Sequence, residues 1–194
     1  MAAPPSKTIK DLSGKWVMNK SLSSDTDPAL ALQGVSWLTR KAVGLASITL
    51  HVKQYVGPPS PPSDSNEPAT HVEIEQTGSG GFKGTTEKRC LDDTWREHSD
   101  WLFGHVRGRS RWIAASEIDD AFLAGGWLEG EEERGGPDGQ THILSYVESL
   151  DNGWTATQIW GFQTVDGERR YCRNIVVAKG SERVEMRLVY DYIE

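Results

Sequence analysis

The sequence predicts an all-β fold: an up-and-down antiparallel β-barrel of about ten strands, with an N-terminal helix-turn-helix lid. Three observations predict it. About ten short alternating stretches run along the 194 residues. Only one helical pair interrupts them, and it lies early. The C-terminal quarter, His142 to Tyr192, carries three consecutive strand-turn-strand signals whose registers agree on one largely apolar face.

Those turns define the C-terminal strands. Asp151-Asn152-Gly153 reads as a three-residue hairpin loop, Asp166-Gly167 as a type I′ turn and Gly180-Ser181 as a type II′ turn. The expected partners are His142 with Phe162, Leu144 with Trp160, Tyr146 with Gln158 and Glu148 with Ala156 in the first hairpin. In the second they are Phe162 with Tyr171, Trp160 with Arg173 and Gln158 with Ile175. In the third they are Tyr171 with Tyr190, Arg173 with Leu188, Ile175 with Met186 and Val177 with Val184. The opposite face, with Gln163, Arg170, Asn174 and Arg187 among its members, suits water. The shared face must be covered by curling or by a second sheet.

The rest of the chain follows in order. Residues 1–10 read as a flexible tail and 11–194 as a single barrel domain. Ser13–Lys20 is a first strand. Asp27-Pro28 is a helix start, with Asp27 as N-cap and Pro28 at the first helical position, and two apolar-periodic stretches broken at Gly34-Val35 fill residues 27–46, with Trp37 and Leu38 expected on the covered side. Ser47–Val56, Thr70–Thr77, Phe82–Cys90, Trp95–Trp101 and Phe103–Ile113 read as strands. The Pro-rich Gly57–Ala69 cannot pair in a sheet and reads as a long loop. Ser116–Leu123 reads as a short helix capped by Ser116, and Glu129–Gln140 as an acidic, Gly-rich loop.

Gly14-Lys15-Trp16 opens the first strand as Gly-x-Trp does in lipocalins, and the helical pair after it resembles the lid of the intracellular fatty-acid-binding proteins. The chain is similar to the lipocalin/calycin superfamily over residues 12–55, and more generically over its C-terminal strands. Overall it also resembles a fungal lipocalin-like family associated with natural-product biosynthesis. The resemblance implies one small ligand held inside the barrel. The carboxylate-holding Arg-x-Tyr of the fatty-acid-binding proteins is absent: Arg187 and Tyr190 are spaced to opposite faces.

A formal charge of −7 argues against nucleic acid or an anionic membrane as partner, and no apolar run is long enough for a membrane span. Two cysteines, Cys90 and Cys172, without metal-ligand spacing fit a reducing cytoplasm. No metal, cofactor or phosphate-loop motif is present, and nothing bears on oligomeric state. Eight Trp, five Tyr and four Phe suit either a crowded core or an aromatic-lined pocket.

Arg173 is the most informative polar residue. It reads either as an anchor for a carboxylate or carbonyl of an apolar guest or as a cap stacked on a barrel tryptophan. Arg173, Tyr146 and Tyr190 are the candidate catalytic groups. Trp37, Leu144, Gln158, Trp160, Phe162, Tyr171, Met186 and Leu188 are the candidate ligand contacts. His98 and Asp100 share a strand face, either as an oriented acid/base pair or as a solvated one. Arg107, Arg109 and Arg111 read as an outer face. The expected function is binding of a hydrophobic small molecule, with cofactor-free, pericyclase-like cyclase or isomerase activity on a polyketide or terpenoid-type intermediate. A non-catalytic carrier is the alternative, and a filled barrel serving as an interaction module is the third possibility.

Overall fold

The computed structural model describes residues 1–193. One antiparallel sheet holds β1 (Gly14–Met18), β2 (Ile48–Gly57), β3 (Ala69–Gly78), β4 (Thr86–Cys90), β5 (Arg96–Asp100), β6 (Gly104–Ile113), β7 (His142–Ser149), β8 (Thr155–Val165), β9 (Glu168–Lys179) and β10 (Glu182–Tyr192). Their spatial order is β4-β3-β2-β1-β10-β9-β8-β7-β6-β5. All neighbours are sequential except β1 and β10, which pair Trp16 with Tyr192 and Met18 with Tyr190. The sheet curls until β4 approaches β6: a Cβ built on Gly108 would lie 3.6 Å from Nη1 of Arg89.

A fully closed barrel was expected, but the structure has a seam, because β4 and β5 are the two sheet edges and share no ladder. Glu87 and Arg89 on β4, and Arg96, His98 and Asp100 on β5, occupy the faces that flank the seam. Zipping these edges would bury charges that now meet solvent or each other, and such burial is costly. Side chains tie the seam at its ends. Trp101 donates to the Gly84 carbonyl (3.3 Å) and packs on Phe82, while Arg96 reaches the Ser60 and Pro61 carbonyls.

The second and third C-terminal hairpins have the expected registers, including Trp160 opposite Arg173 and Arg173 opposite Leu188. Asp166 (φ 53°) and Gly167 (φ 73°) form the two-residue turn of positive φ, and Gly180 (φ 59°) opens the next. The first hairpin is displaced by one residue: Ile143 opposes Trp160, Ser145 opposes Gln158 and Val147 opposes Ala156. Its loop has four residues rather than three, since Ser149 N–H bonds the Trp154 carbonyl (2.8 Å). Asn152 N–H donates to Ser149 Oγ and the Asp151 carboxylate accepts from His105 N–H, which fixes the longer loop. Gly153 takes positive φ in either loop, so the glycine could not distinguish them.

That shift reverses β7. Leu144 and Tyr146 face out of the barrel, and Ile143, Ser145 and Val147 face in. Leu144 packs with Ile113, Leu123, Ile159 and Val176 beneath a strap formed by residues 114–128. The strap contains a single 3₁₀ turn, Ala115–Glu117, where a helix capped by Ser116 was expected. It covers much of the face expected to be wet. Asn174 and Gln163 are buried there and donate to the Gly125 carbonyl, so these polar residues anchor the strap.

The helical pair forms α1 (Asp27–Leu32) and α2 (Trp37–Leu45), broken at Gly34 (φ 83°). Thr26, not Asp27, is the cap residue of α1. Ala29 of α1 is buried against the barrel end with Val177 and Met186. The expectation for α2 is overturned: Trp37 (63% exposed) and Leu38 (73%) face away, as does Leu45 (85%). Polar bonds on the other side orient the helix, with Arg40 holding Asp27 (3.2 Å) and the Val35 carbonyl (2.8 Å). Residues 1–10, expected as a loose tail, lie across the opposite barrel end. There Ile9 is fully buried and Ala3 N–H bonds the Arg169 carbonyl (2.8 Å). The acidic loop also contributes: Glu133 is buried and grips Arg169 with both oxygens (2.6 and 2.7 Å).

His142 is fully buried between β8 and Trp127 of the strap, its ring 5.1 Å from the indole. Burial lowers its pKa from 6.5 to about 4. Between those values the unfolded chain binds a proton that the native protein does not, so stability falls as pH drops from 6.5 toward 4. The expected loss is on the order of 2–3 kcal/mol. Urea midpoints at stepped pH should fall more steeply below pH 6.5 in the parent protein than in His142→Gln.

Candidate functional site

Residue alternation carries Arg173 of β9 into the barrel beside Trp160 and Leu188. It is only 3% exposed. Its guanidinium carbon sits 3.9 Å from the Trp160 ring centroid, and Nε donates to the Tyr171 hydroxyl at 2.9 Å. The Tyr171 and Tyr190 rings stack at 5.2 Å. The aromatic partner of Arg173 is therefore Trp160. The Gly-x-Trp residue, Trp16, packs instead on Tyr171 (5.3 Å) and Tyr192 (4.9 Å) and donates to the Leu12 carbonyl.

The acid that faces Arg173 is Glu87, which comes from β4 across the barrel. Its carboxylate accepts from Arg89 Nη2 (3.0 Å) and Gln76 Nε2 (2.6 Å). Burial pushes the Glu87 carboxyl up, but the Arg89 and Arg173 charges and these two hydrogen bonds outweigh it and hold it below its usual range. Burial pushes the Arg173 guanidinium down, and the hydrogen bond to the Tyr171 hydroxyl and the Glu87 charge offset it, so it stays charged. Burial raises the Tyr171 and Tyr190 phenols, keeping both neutral.

These groups form a polar belt across the barrel. Below it lies an apolar cluster around Trp16, Leu50, Ile74, Phe162 and Tyr171. Above it, under α1, lies a second around Val106, Trp154, Ile175 and Met186. The upper half is not filled. A cavity of about 600 Å³ opens there at the seam, with apolar walls from Phe103, Val106, Val147, Trp154 and Ala156. Gln158, Glu87, Arg89 and Ser110 are among its polar lining residues, with Arg96, His98 and Asp100 at the seam and further charged side chains, Glu73, Lys88, Glu97 and Arg109, at its mouth.

Of the expected ligand contacts, Gln158 lines the cavity directly, and its side-chain oxygen accepts from Trp160 Nε1 (2.9 Å). Trp160, Phe162, Tyr171, Arg173 and Tyr190 are brought together, but as packed structure one layer beneath. Met186 and Leu188 pack in the upper cluster. Tyr146 is removed from the site by the β7 shift: its hydroxyl donates to Glu148 (3.2 Å) and its ring meets the edge of Trp95. Leu144 and Trp37 lie elsewhere for the reasons given above. Arg107 and Arg109 stack on Trp95 outside the barrel, and Arg107 pairs with Glu148, as an outer face should. His98 Nε2 meets Asp100 Oδ2 at 3.3 Å at the cavity margin, and Asp100 Oδ1 is fixed by the Leu102 and Phe103 N–H groups.

Glu87 and Arg89 were not foreseen. Their inward parity follows from pairing with Ile74 and Val72, but the β3–β4 connection has no two-residue turn signal from which to count.

A curled sheet of ten antiparallel strands, with two helices at one end and an interior cavity, has the fold of the fatty-acid-binding proteins. The lipid-binding protein LBP-8 of Caenorhabditis elegans matches with TM-score 0.56 and 15% identity, over 96% of this chain and 98% of that one. The fatty-acid-binding protein of Schistosoma mansoni, solved with arachidonic acid, matches with TM-score 0.52 and 14% identity, over 97% and 100%. No family model matches the sequence. Two curated proteins do, along their whole length. "Probable pericyclase scpY" of Mollisia scopiformis is 34% identical over 99% of this chain and 95% of its own. "Pericyclase pydY" of an Acremonium species is 33% identical over 100% and 97%. The chain belongs to the family of these pericyclases.

Removing the belt's acid tests its energetics. Glu87→Gln leaves Arg89 and Arg173 without their shared counter-charge, and chemical denaturation should show a loss of about 3 kcal/mol.

Proposed function

We propose that the cavity binds a hydrophobic polyketide or terpenoid-type intermediate and promotes its ring closure, a pericyclase activity. The observation that carries this reading is the end-to-end kinship with two proteins named as pericyclases, in a chain whose barrel keeps an apolar-walled cavity above a charged floor. A volume of about 600 Å³ suits a ligand of natural-product size.

An intramolecular pericyclic step needs the reacting ends held together, water excluded and an activating carbonyl polarised. Holding the ends together lowers the entropic part of the barrier. Phe103, Val106, Val147, Trp154 and Ala156 supply shape. Gln158 and Arg89 stand where they can donate to a carbonyl, and Arg173 adds fixed positive charge from beneath. Tyr190 helps to hold Arg173 in place rather than touching the ligand. The electrons move within one molecule, so no redox partner enters the step. Cys90 and Cys172 are free and buried, which suits a cytoplasmic protein.

The test is incubation with a linear polyene polyketide, following its conversion by chromatography and its bound state by native mass spectrometry. A cyclised product of unchanged mass, formed faster than without protein, is expected. Binding without conversion would make the protein a carrier. Ala156→Phe, which fills the cavity from its wall, should slow turnover more than about tenfold while leaving near-ultraviolet circular dichroism intact. Arg173→Met, which keeps the apolar stem, should lower turnover or affinity at least about tenfold, the equivalent of roughly 1.4 kcal/mol. Unchanged stability and unchanged binding in Arg173→Met would remove Arg173 from the site.

A further inference from the structure

We propose that His98 is a general base at the cavity mouth: it removes a proton from the carbon beside a ligand carbonyl and so generates the dienol that ring closure consumes. The proposal rests on the ligand-binding reading above and goes beyond it by adding a proton-transfer step. It also names the substrate class that step requires, an apolar β,γ-unsaturated ketone.

Two histidine–carboxylate pairs lie on β5 and β6, and they differ. His105 Nε2 meets Glu97 Oε2 at 3.1 Å on the outer face, with both side chains exposed. His98 lies on the other face, directly opposite Val106 of β6, an apolar wall of the cavity. Its Nε2 meets Asp100 Oδ2 at 3.3 Å, and the Asp100 side chain is only 14% exposed. Asp100 Oδ1 accepts from the Leu102 N–H (2.8 Å) and the Phe103 N–H (2.7 Å), which hold the carboxylate from behind. Both His98 and Asp100 line the cavity. Nδ1 of His98 has no hydrogen-bond partner among the described residues.

That arrangement fits a base. A carboxylate against Nε2 favours the proton on that nitrogen and leaves the lone pair on Nδ1. It also stabilises the imidazolium formed when Nδ1 takes a second proton. In the step, a C–H bond between the carbonyl carbon and the alkene breaks, and its proton passes to His98 Nδ1. The electron pair moves onto the carbonyl oxygen, where Gln158 and Arg89 stand as donors. The resulting dienolate is a conjugated four-carbon π system, the component that ring closure needs. The proton then returns from His98 to oxygen, giving the dienol, or to carbon. Mass and oxidation state are unchanged throughout, so no co-reactant enters. The His98 side chain is 52% exposed at the seam, so its proton also exchanges with water between turnovers. That exchange makes the step visible with a simple probe.

The probe is 2-tetralone, an apolar bicyclic ketone whose C1 hydrogens lie between the carbonyl and the benzene ring. Nuclear magnetic resonance follows exchange of those hydrogens in deuterium oxide, and quenching of tryptophan fluorescence follows binding. The parent protein should catalyse the exchange at least about tenfold faster than an equal concentration of free imidazole. His98→Gln should bind the probe as the parent does and exchange it at the background rate. His105→Gln, which alters only the outer pair, should match the parent. In His98→Ala, added imidazole should restore exchange, a rescue that a packing defect does not produce. Asp100→Asn keeps an oxygen for the two backbone N–H groups but removes the charge that positions His98. It should lower the rate at saturation at least about tenfold with affinity unchanged. Near-ultraviolet circular dichroism confirms that each variant is folded, and His98→Gln carries the test if His98→Ala is not. Ala156→Phe should abolish binding and exchange, and exchange that survives it arises outside the cavity and counts against the proposal. A probe that binds but exchanges no faster than with imidazole, or exchange retained in His98→Gln, overturns the proposal while leaving the cavity as a ligand site. Failure of the probe to bind overturns the ligand-binding reading and this proposal with it.

Discussion

The placement of one guanidinium inside the barrel constrains everything around it. Arg173 is almost fully buried, and an isolated buried cation is untenable. Its compensation comes from three directions: the Trp160 face in its own sheet, the Tyr171 hydroxyl two residues away, and Glu87 from across the barrel. Because Glu87 must be held in turn, Arg89 and Gln76 join the group. The result is a polar layer that the two apolar clusters cannot merge across. One cluster packs solidly around Trp16. The other closes over with α1 but retains a cavity whose floor is charged.

The seam follows from the same economy of charge. A β-sheet edge is stable where its side chains prefer water or one another to a new strand partner. β4 and β5 meet that condition with Glu87, Lys88, Arg89, Arg96 and His98. Closing the barrel by hydrogen bonds would seal the cavity from one side, whereas an open seam tied only at its ends leaves a route to it. The strap on the other side of the barrel works in the opposite sense. It covers Gln163 and Asn174 and uses them as donors, so the outer face of β8 and β9 is as buried as the inner one.

This arrangement suits a reaction that needs conformational restraint more than a dedicated nucleophile. Preorganised donors in a site poor in water exert far more influence on a developing partial charge than they would in solvent. The belt is cross-linked by its own hydrogen bonds, with Gln158 receiving the Trp160 N–H and Tyr171 receiving the Arg173 Nε–H. Trp160, Tyr171 and Tyr190 belong to that packed layer and lie beneath the cavity lining.

The sequence by itself determined the barrel class, the helical pair and the register of the last three strands, because Asp166-Gly167 and Gly180-Ser181 are turns whose backbone admits one strand pairing each. It therefore also determined that Arg173, Trp160 and Gln158 share the inner face. It could not determine the β7 register, since Gly153 serves a three- or a four-residue loop equally well, and only contacts made by Asp151 and Asn152 elsewhere select the longer one. That single residue of slip carried Tyr146 and Leu144 out of the site. It could not orient α2, because an amphipathic helix is placed by what it meets, and Arg40 finds Asp27 before Trp37 finds the barrel. Glu87 and Arg89 were equally out of reach. They join Arg173 across the width of the barrel, a proximity created by curling the sheet, and local turn chemistry does not encode which strands a curled sheet brings face to face.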